Sequence, residues 1–141
     1  MSELKRISER VISVMEGIDG LSDLGVSDLR KIPLGTLRQG TYRLQGVCRF
    51  RKGIRQRMAK GTENGVSEVR CIDLHPLLLT EEWSRYADHV LFHEYLHALL
   101  PGEGHGPEFR RRESLWPDSD AIAMKEEFGQ FIRERRSDIL K

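Results

Sequence analysis

The chain has 141 residues, of which 38% are hydrophobic and 32% charged, with a net charge of +1. This is an ordinary globular composition, long enough for one domain (1–141) with a proper core and too short for two. No run approaches the roughly 18 apolar residues of a membrane span, and the start, Met1-Ser2-Glu3-Leu4-Lys5, lacks the apolar stretch of a secretory leader. A cytoplasmic location is therefore expected, with Cys48 and Cys71 as reduced core residues.

In chain order, Glu3 to Gly17 reads as an amphipathic helix, with Leu4, Ile7, Val11, Val14, Met15 and Ile18 at three- and four-residue spacing. Gly20, Gly25 and Pro33 punctuate the next segment, which leaves room for a short strand around Leu29 to Leu34. From Thr41 to Arg51 apolar and polar residues alternate: Tyr42, Leu44, Cys48 and Phe50 share one face of a half-buried strand. A long hairpin connection then leads into a strand from Val66 to Leu74. Across this connection, Arg43, Arg49, Arg51, Lys52, Arg55, Arg57 and Lys60 concentrate positive charge with no acid between them. Such a stretch either binds phosphates or simply solvates a strand edge.

Thr80-Glu81-Glu82 supplies a cap and first-turn acids for a helix that Pro101-Gly102 stops just after Leu100. That helix is largely apolar, so it is buried and its polar residues need a reason. The reason lies in His93-Glu94-Tyr95-Leu96-His97. Helical residues four apart stand on one face about 6 Å apart, so two imidazoles at this spacing can grip one metal ion. Glu94 lies roughly 100° around the helix, where its carboxylate can flank the metal without coordinating it. Tyr95 points away and packs; His89, one turn earlier, is a surface residue or a support for the ligands.

Two helical imidazoles leave an open tetrahedral site one protein ligand short. His105 can fill it from just before a helix that Gly106-Pro107 begins, and Glu108 is the carboxylate competitor. Ser119 to Leu140 closes the chain as an amphipathic helix with the stripe Ala121, Met124, Phe128, Phe131 and Ile132, a candidate wall for the cleft. Together the elements describe an α+β fold: a small antiparallel sheet of about three strands on a buried metal-binding helix, with N- and C-terminal helices.

His93-Glu94-Tyr95-Leu96-His97-Ala98 with Gly104-His105-Gly106-Pro107-Glu108-Phe109 resembles the SprT-like zinc metallopeptidases, the family of the DNA-dependent protease Spartan. Arg43 to Phe50 resembles that family's strand with a Gly-x-Cys, and Ile72-Asp73-Leu74 with Leu77-Leu78-Leu79 its turn into the metal helix. The resemblance implies a zincin-like fold, His93, His97 and His105 as ligands of one Zn2+ ion, and Glu94 as the catalytic base. It also implies a protein substrate joined to or bound on DNA, with the basic stretch on single-stranded DNA. Two cysteines cannot build the four-ligand zinc ribbon that follows the core in some relatives.

Substrate polypeptide would align on an exposed strand edge, for which Val66 to Leu74 is the candidate. Two other functions remain open. A non-catalytic, zinc-stabilised DNA-binding module would be indifferent to Glu94, and a YbeY-type RNA-processing hydrolase would lack a glutamate after its first histidine.

Overall fold

The computed structural model describes residues 2–51 and 64–140, with side chains through residue 135. Helix α1 spans Glu3–Glu16, capped by the Ser2 side chain, which accepts from the Lys5 amide at 3.1 Å. Its buried face presents Ile7, Val11, Ile12 and Met15, as the apolar spacing requires. The chain next turns through short 3-10 segments at Asp19–Leu21 and Val26–Lys31, the second entered through Gly25 at φ 70°. The strand expected at Leu29 to Leu34 begins later: Leu29 belongs to that 3-10 segment, and β1 is Leu34–Thr36.

Strand β2 is Gly46–Phe50 and β3 is Val69–Leu74. The order is β1-β3-β2, with β2 antiparallel and β1 parallel to β3. The sheet is therefore three-stranded and mixed, and only one of its two pairings is the antiparallel kind expected. It also places β3 at the centre, so Val66 to Leu74 offers no free edge for a substrate. Among the described residues the outer strand on that side is β2. The alternation read from Thr41 onward becomes regular strand only at Gly46, and Leu44 is exposed rather than sharing the buried face with Cys48.

Helix α2, Ser84–Leu99, is the centre of the fold, with Tyr86, Ala87, Val90, Leu91, Phe92, Tyr95, Leu96 and Ala98 all buried. The start differs from the sequence reading. Thr80 donates its hydroxyl to Leu77 O instead of capping, and Glu81–Trp83 form a 3-10 turn before the α-helix begins. Tyr95 does point into the core, where its hydroxyl and that of Ser8 are 2.6 Å apart, joining α2 to α1; burial raises it to a pKa of about 12. Helix α3, Pro107–Glu113, and helix α4, Met124–Leu140, are the other α-helices among the described residues. In α4, Phe128 and Ile132 are buried and Phe131 packs beside Trp83. Cys48 is buried and Cys71 half-buried, and no disulfide joins the two. No helix among the described residues is long and apolar enough to cross a membrane.

Candidate metal centre

The four-residue spacing of His93 and His97 on α2 puts both imidazoles on the face that α3 covers, and the loop from Leu100 to Gly106 returns His105 to them. Gly104, at φ 56°, makes the turn that precedes His105. The Nε2 atoms are 3.2 Å apart for His93 and His97, 3.0 Å for His97 and His105, and 3.3 Å for His93 and His105. Hydrogen bonding cannot satisfy this triangle. Each nitrogen carries either one hydrogen or one lone pair, so at least one of the three pairs is like against like. A cation relieves all three.

The dimensions fit zinc. Ligands about 2.0–2.1 Å from a tetrahedral ion stand about 3.3–3.4 Å apart, close to the observed separations. The circle through the three nitrogens has a radius of roughly 1.8 Å, so points about 2 Å from all of them exist on either side of their plane. These three residues form the metal-capable group found among the described residues, so the sequence-derived ligands do meet.

Glu108, the competing ligand, is engaged elsewhere. Its carboxylate accepts from Arg111 and Arg112, which hold its pKa down at about 2. Arg112 is itself buried, reaching Gly20 O at 2.8 Å and Asp23 at 2.6 Å, so it fastens α3 to the turn after α1. Two of the three arginines after the third histidine, Arg111 and Arg112, thus serve nearby acids.

Two supporting residues were not anticipated. Glu113 accepts a hydrogen bond from His93 Nδ1. A carboxylate only accepts, so Nδ1 carries the hydrogen and the Nε2 lone pair faces the other imidazoles, the tautomer a metal ligand needs. Burial pushes the Glu113 carboxyl up, but the hydrogen bond from His93, helped by the electrostatics of the neighbouring imidazoles, outweighs it and leaves the carboxyl lowered. Phe109, fully buried, contacts all three rings, with centroids 4.5 Å from His97, 5.1 Å from His93 and 5.3 Å from His105. The available signal was helical spacing: Phe109 and Glu113 are four apart in α3, so a helix starting at Pro107 turns both to one face.

Glu94 is buried at 7% exposure and lines, with His93, a cleft of 240 Å3. One wall is the segment leading into β2. A Cβ added at Gly46 would stand 2.8 Å from Val90 Cγ1 and 3.3 Å from Glu94 Oε2, so only glycine lets the strand lie this close to the helix. Gln45 fixes that wall: its side chain accepts from the Tyr86 hydroxyl and donates to Lys125 O at 3.3 Å, while its carbonyl accepts from the His75 amide at 2.9 Å. His75 Nδ1 accepts from Leu77 N, so Nε2 donates to Thr41 O at 2.8 Å; this is a structural histidine. The opposite wall includes Ile122 and Lys125, so the C-terminal segment does border the cleft. His89 also lines it, is buried, and has no hydrogen-bond partner at Nδ1 among the described residues; burial lowers its pKa.

The basic stretch is not gathered into one patch by the described residues. Arg43 lines the cleft and lies over the Tyr42 ring, Arg49 pairs with Asp73 at 3.0 Å, and Arg51 stands 4.0 Å from Glu68. Lys52, Arg55, Arg57 and Lys60 lie outside the described residues.

No curated protein and no solved structure matches this chain. The model of the SprT-like family does, over residues 35–116, from β1 through the metal helix and α3 to Trp116. That span is more than half of the sequence and contains the three histidines, Glu94 and Glu113, so the chain belongs to the SprT-like family.

Proposed function

We propose that this protein is a zinc-dependent endopeptidase with a zincin-like active site, in which His93, His97 and His105 hold the ion and Glu94 is the general base. The observation that carries the reading is the triangle of Nε2 atoms, of zinc-binding size, beside a buried glutamate on a cleft of 240 Å3. Zinc bound there supplies a Lewis acid that polarises the scissile carbonyl and lowers the pKa of a water to about 7.

The remaining work falls to side chains. Glu94 takes the proton of the attacking water at a carboxylate oxygen and delivers it to the departing amine nitrogen as the C–N bond breaks. Glu113 keeps the His93 ring in its ligating tautomer. The outer edge of β2 supports an extended substrate through backbone hydrogen bonds, with little demand on its sequence. Burial of Glu94 beneath Gly46 restricts bulk water at the base.

The proposal extends to DNA: the stretch from Arg43 to Lys60 brings single-stranded regions, and proteins crosslinked or bound to them, to the cleft. Support for this part is the charge of the sequence and the family. A zinc-stabilised binding module explains the histidines but not the buried Glu94, and a YbeY-type hydrolase does not call for a glutamate at this position.

The test is cleavage of casein, and self-cleavage, by wild type and Glu94→Gln, each with and without single-stranded DNA, alongside zinc analysis. Glu94→Gln should retain zinc and lose at least 100-fold in rate, the scale of general-base catalysis. Equal rates would reject the catalytic role, and rates indifferent to DNA would reject the nucleic-acid part.

A further inference from the structure

We infer that the cleft beside His93 and Glu94 is a specificity subsite for one apolar side chain of the polypeptide being cut, with Leu44 and Ile122 as its determining residues. This rests on the peptidase reading above. Among the described residues, the large hydrophobic side chains left exposed are Leu44, at 48%, and Ile122, at 53%. A single exposed leucine or isoleucine means little. These two come from distant parts of the chain, one ahead of β2 and one in the 3-10 turn Ala121–Ala123 before α4, yet both line the same cleft. That cleft is also the one that His93 and Glu94 line, and exposed apolar surface gathered at a site marks a place where a ligand covers it.

The chemistry of the lining points the same way. The Tyr86 hydroxyl donates to Gln45, and Glu113 accepts from His93, so these polar groups are already committed to one another. Beside them the lining holds the apolar side chains of Leu44, Ile122 and Val90, with Arg43, Lys125 and Glu94 as its charged members. The volume, 240 Å3, falls below the roughly 300–1,000 Å3 of small-molecule pockets and suits a side chain with its neighbouring backbone. Specificity would then arise from one position next to the scissile bond, while edge pairing along β2 reads backbone only.

The experiment maps cut sites by mass spectrometry in a randomised peptide mixture, with single-stranded DNA present, for wild type, Leu44→Asp and Ile122→Asp. Both positions are exposed, so neither change opens the core. Wild type should show enrichment of Leu, Ile, Met or Phe at one fixed position within two residues of the cut. For two peptides differing only there, Leu over Ser should be favoured by about tenfold or more in kcat/KM. Each aspartate variant should collapse that ratio towards unity. Cutting without apolar enrichment at any fixed position, or enrichment unchanged in both variants, would overturn the subsite and leave the peptidase reading standing. Failure of wild type to cut anything in zinc would overturn both.

Discussion

Replacing Glu113 with alanine tests whether the tautomer of His93 is set from outside the histidine triangle. The substitution removes a charged acceptor from His93 Nδ1 and frees the ring to turn or to place its hydrogen on Nε2, where it would oppose a cation. A hydrogen bond to a charged group contributes about 1.5–3 kcal/mol, and each 1.4 kcal/mol is tenfold in affinity. Zinc should therefore bind about 10–100-fold more weakly, the range typical of lost carboxylate support for a histidine ligand. The side chains of Glu113 and His93 keep 20% and 28% of their exposure, so the lower half of that range is expected. Glu113→Gln retains an acceptor and should lose less. Equilibrium competition against a chromophoric chelator measures the affinity directly, and peptide cleavage at saturating zinc shows whether the remaining rate recovers. An alanine variant that binds zinc as tightly as wild type would refute the assignment.

Gly46→Ala should damage catalysis more than metal binding. The new methyl meets Val90 Cγ1, a stiff β-branched side chain on a helix, and Glu94 itself, so β2 or the base must move; about 1 Å of misplacement can cost 100-fold in rate. Parallel measurement of kcat and zinc content checks this, and full turnover would reject the close-approach argument. Arg112→Met should lower stability by about 2 kcal/mol in denaturant unfolding at neutral pH, through the lost contacts with Gly20 O, Asp23 and Glu108. Asp23 and Glu108 both have lowered carboxyl pKa values, Glu108 falling from 4.5 to about 2. Their contribution is present above the unfolded value and fades as pH drops through the folded one. The gap between wild type and Arg112→Met should thus narrow between about pH 4.5 and 2, and a gap that widens would contradict the ion-pair assignment.

The histidine triangle was legible in the sequence because a helix converts spacing into direction. His93 and His97 needed only the period of α2, and the third histidine needed only a chain return short enough to bring His105 back. Strand order had no such local code. Alternation places Cys48 and Phe50 in a strand but does not say which strand lies beside which, and β1, only three residues long, carries too little pattern to announce that it pairs in parallel with β3. Glu113 and Phe109 were missed for a related reason. Their roles depend on how α3 docks against α2, and Arg112, on the same short helix, sets that docking through residues some 90 positions away.

Among the described residues the outer strand is β2 and not β3, and under the proposed function this changes what the fold would do for catalysis. Were β3 the edge, substrate and base would be held by separate layers joined only through the sheet. With β2 outermost, its first residue, Gly46, lies directly against Glu94 and Val90, while Gln45 is pinned to Tyr86 of the same helix. The strand that would hold the substrate backbone and the helix that carries Glu94 are then in direct contact. Loops tolerate errors of an ångström, but a near-attack geometry does not. A side chain at position 46 would separate the two elements, so under the proposed mechanism the close approach of strand to helix would set the distance between a bound peptide and the Glu94 carboxylate.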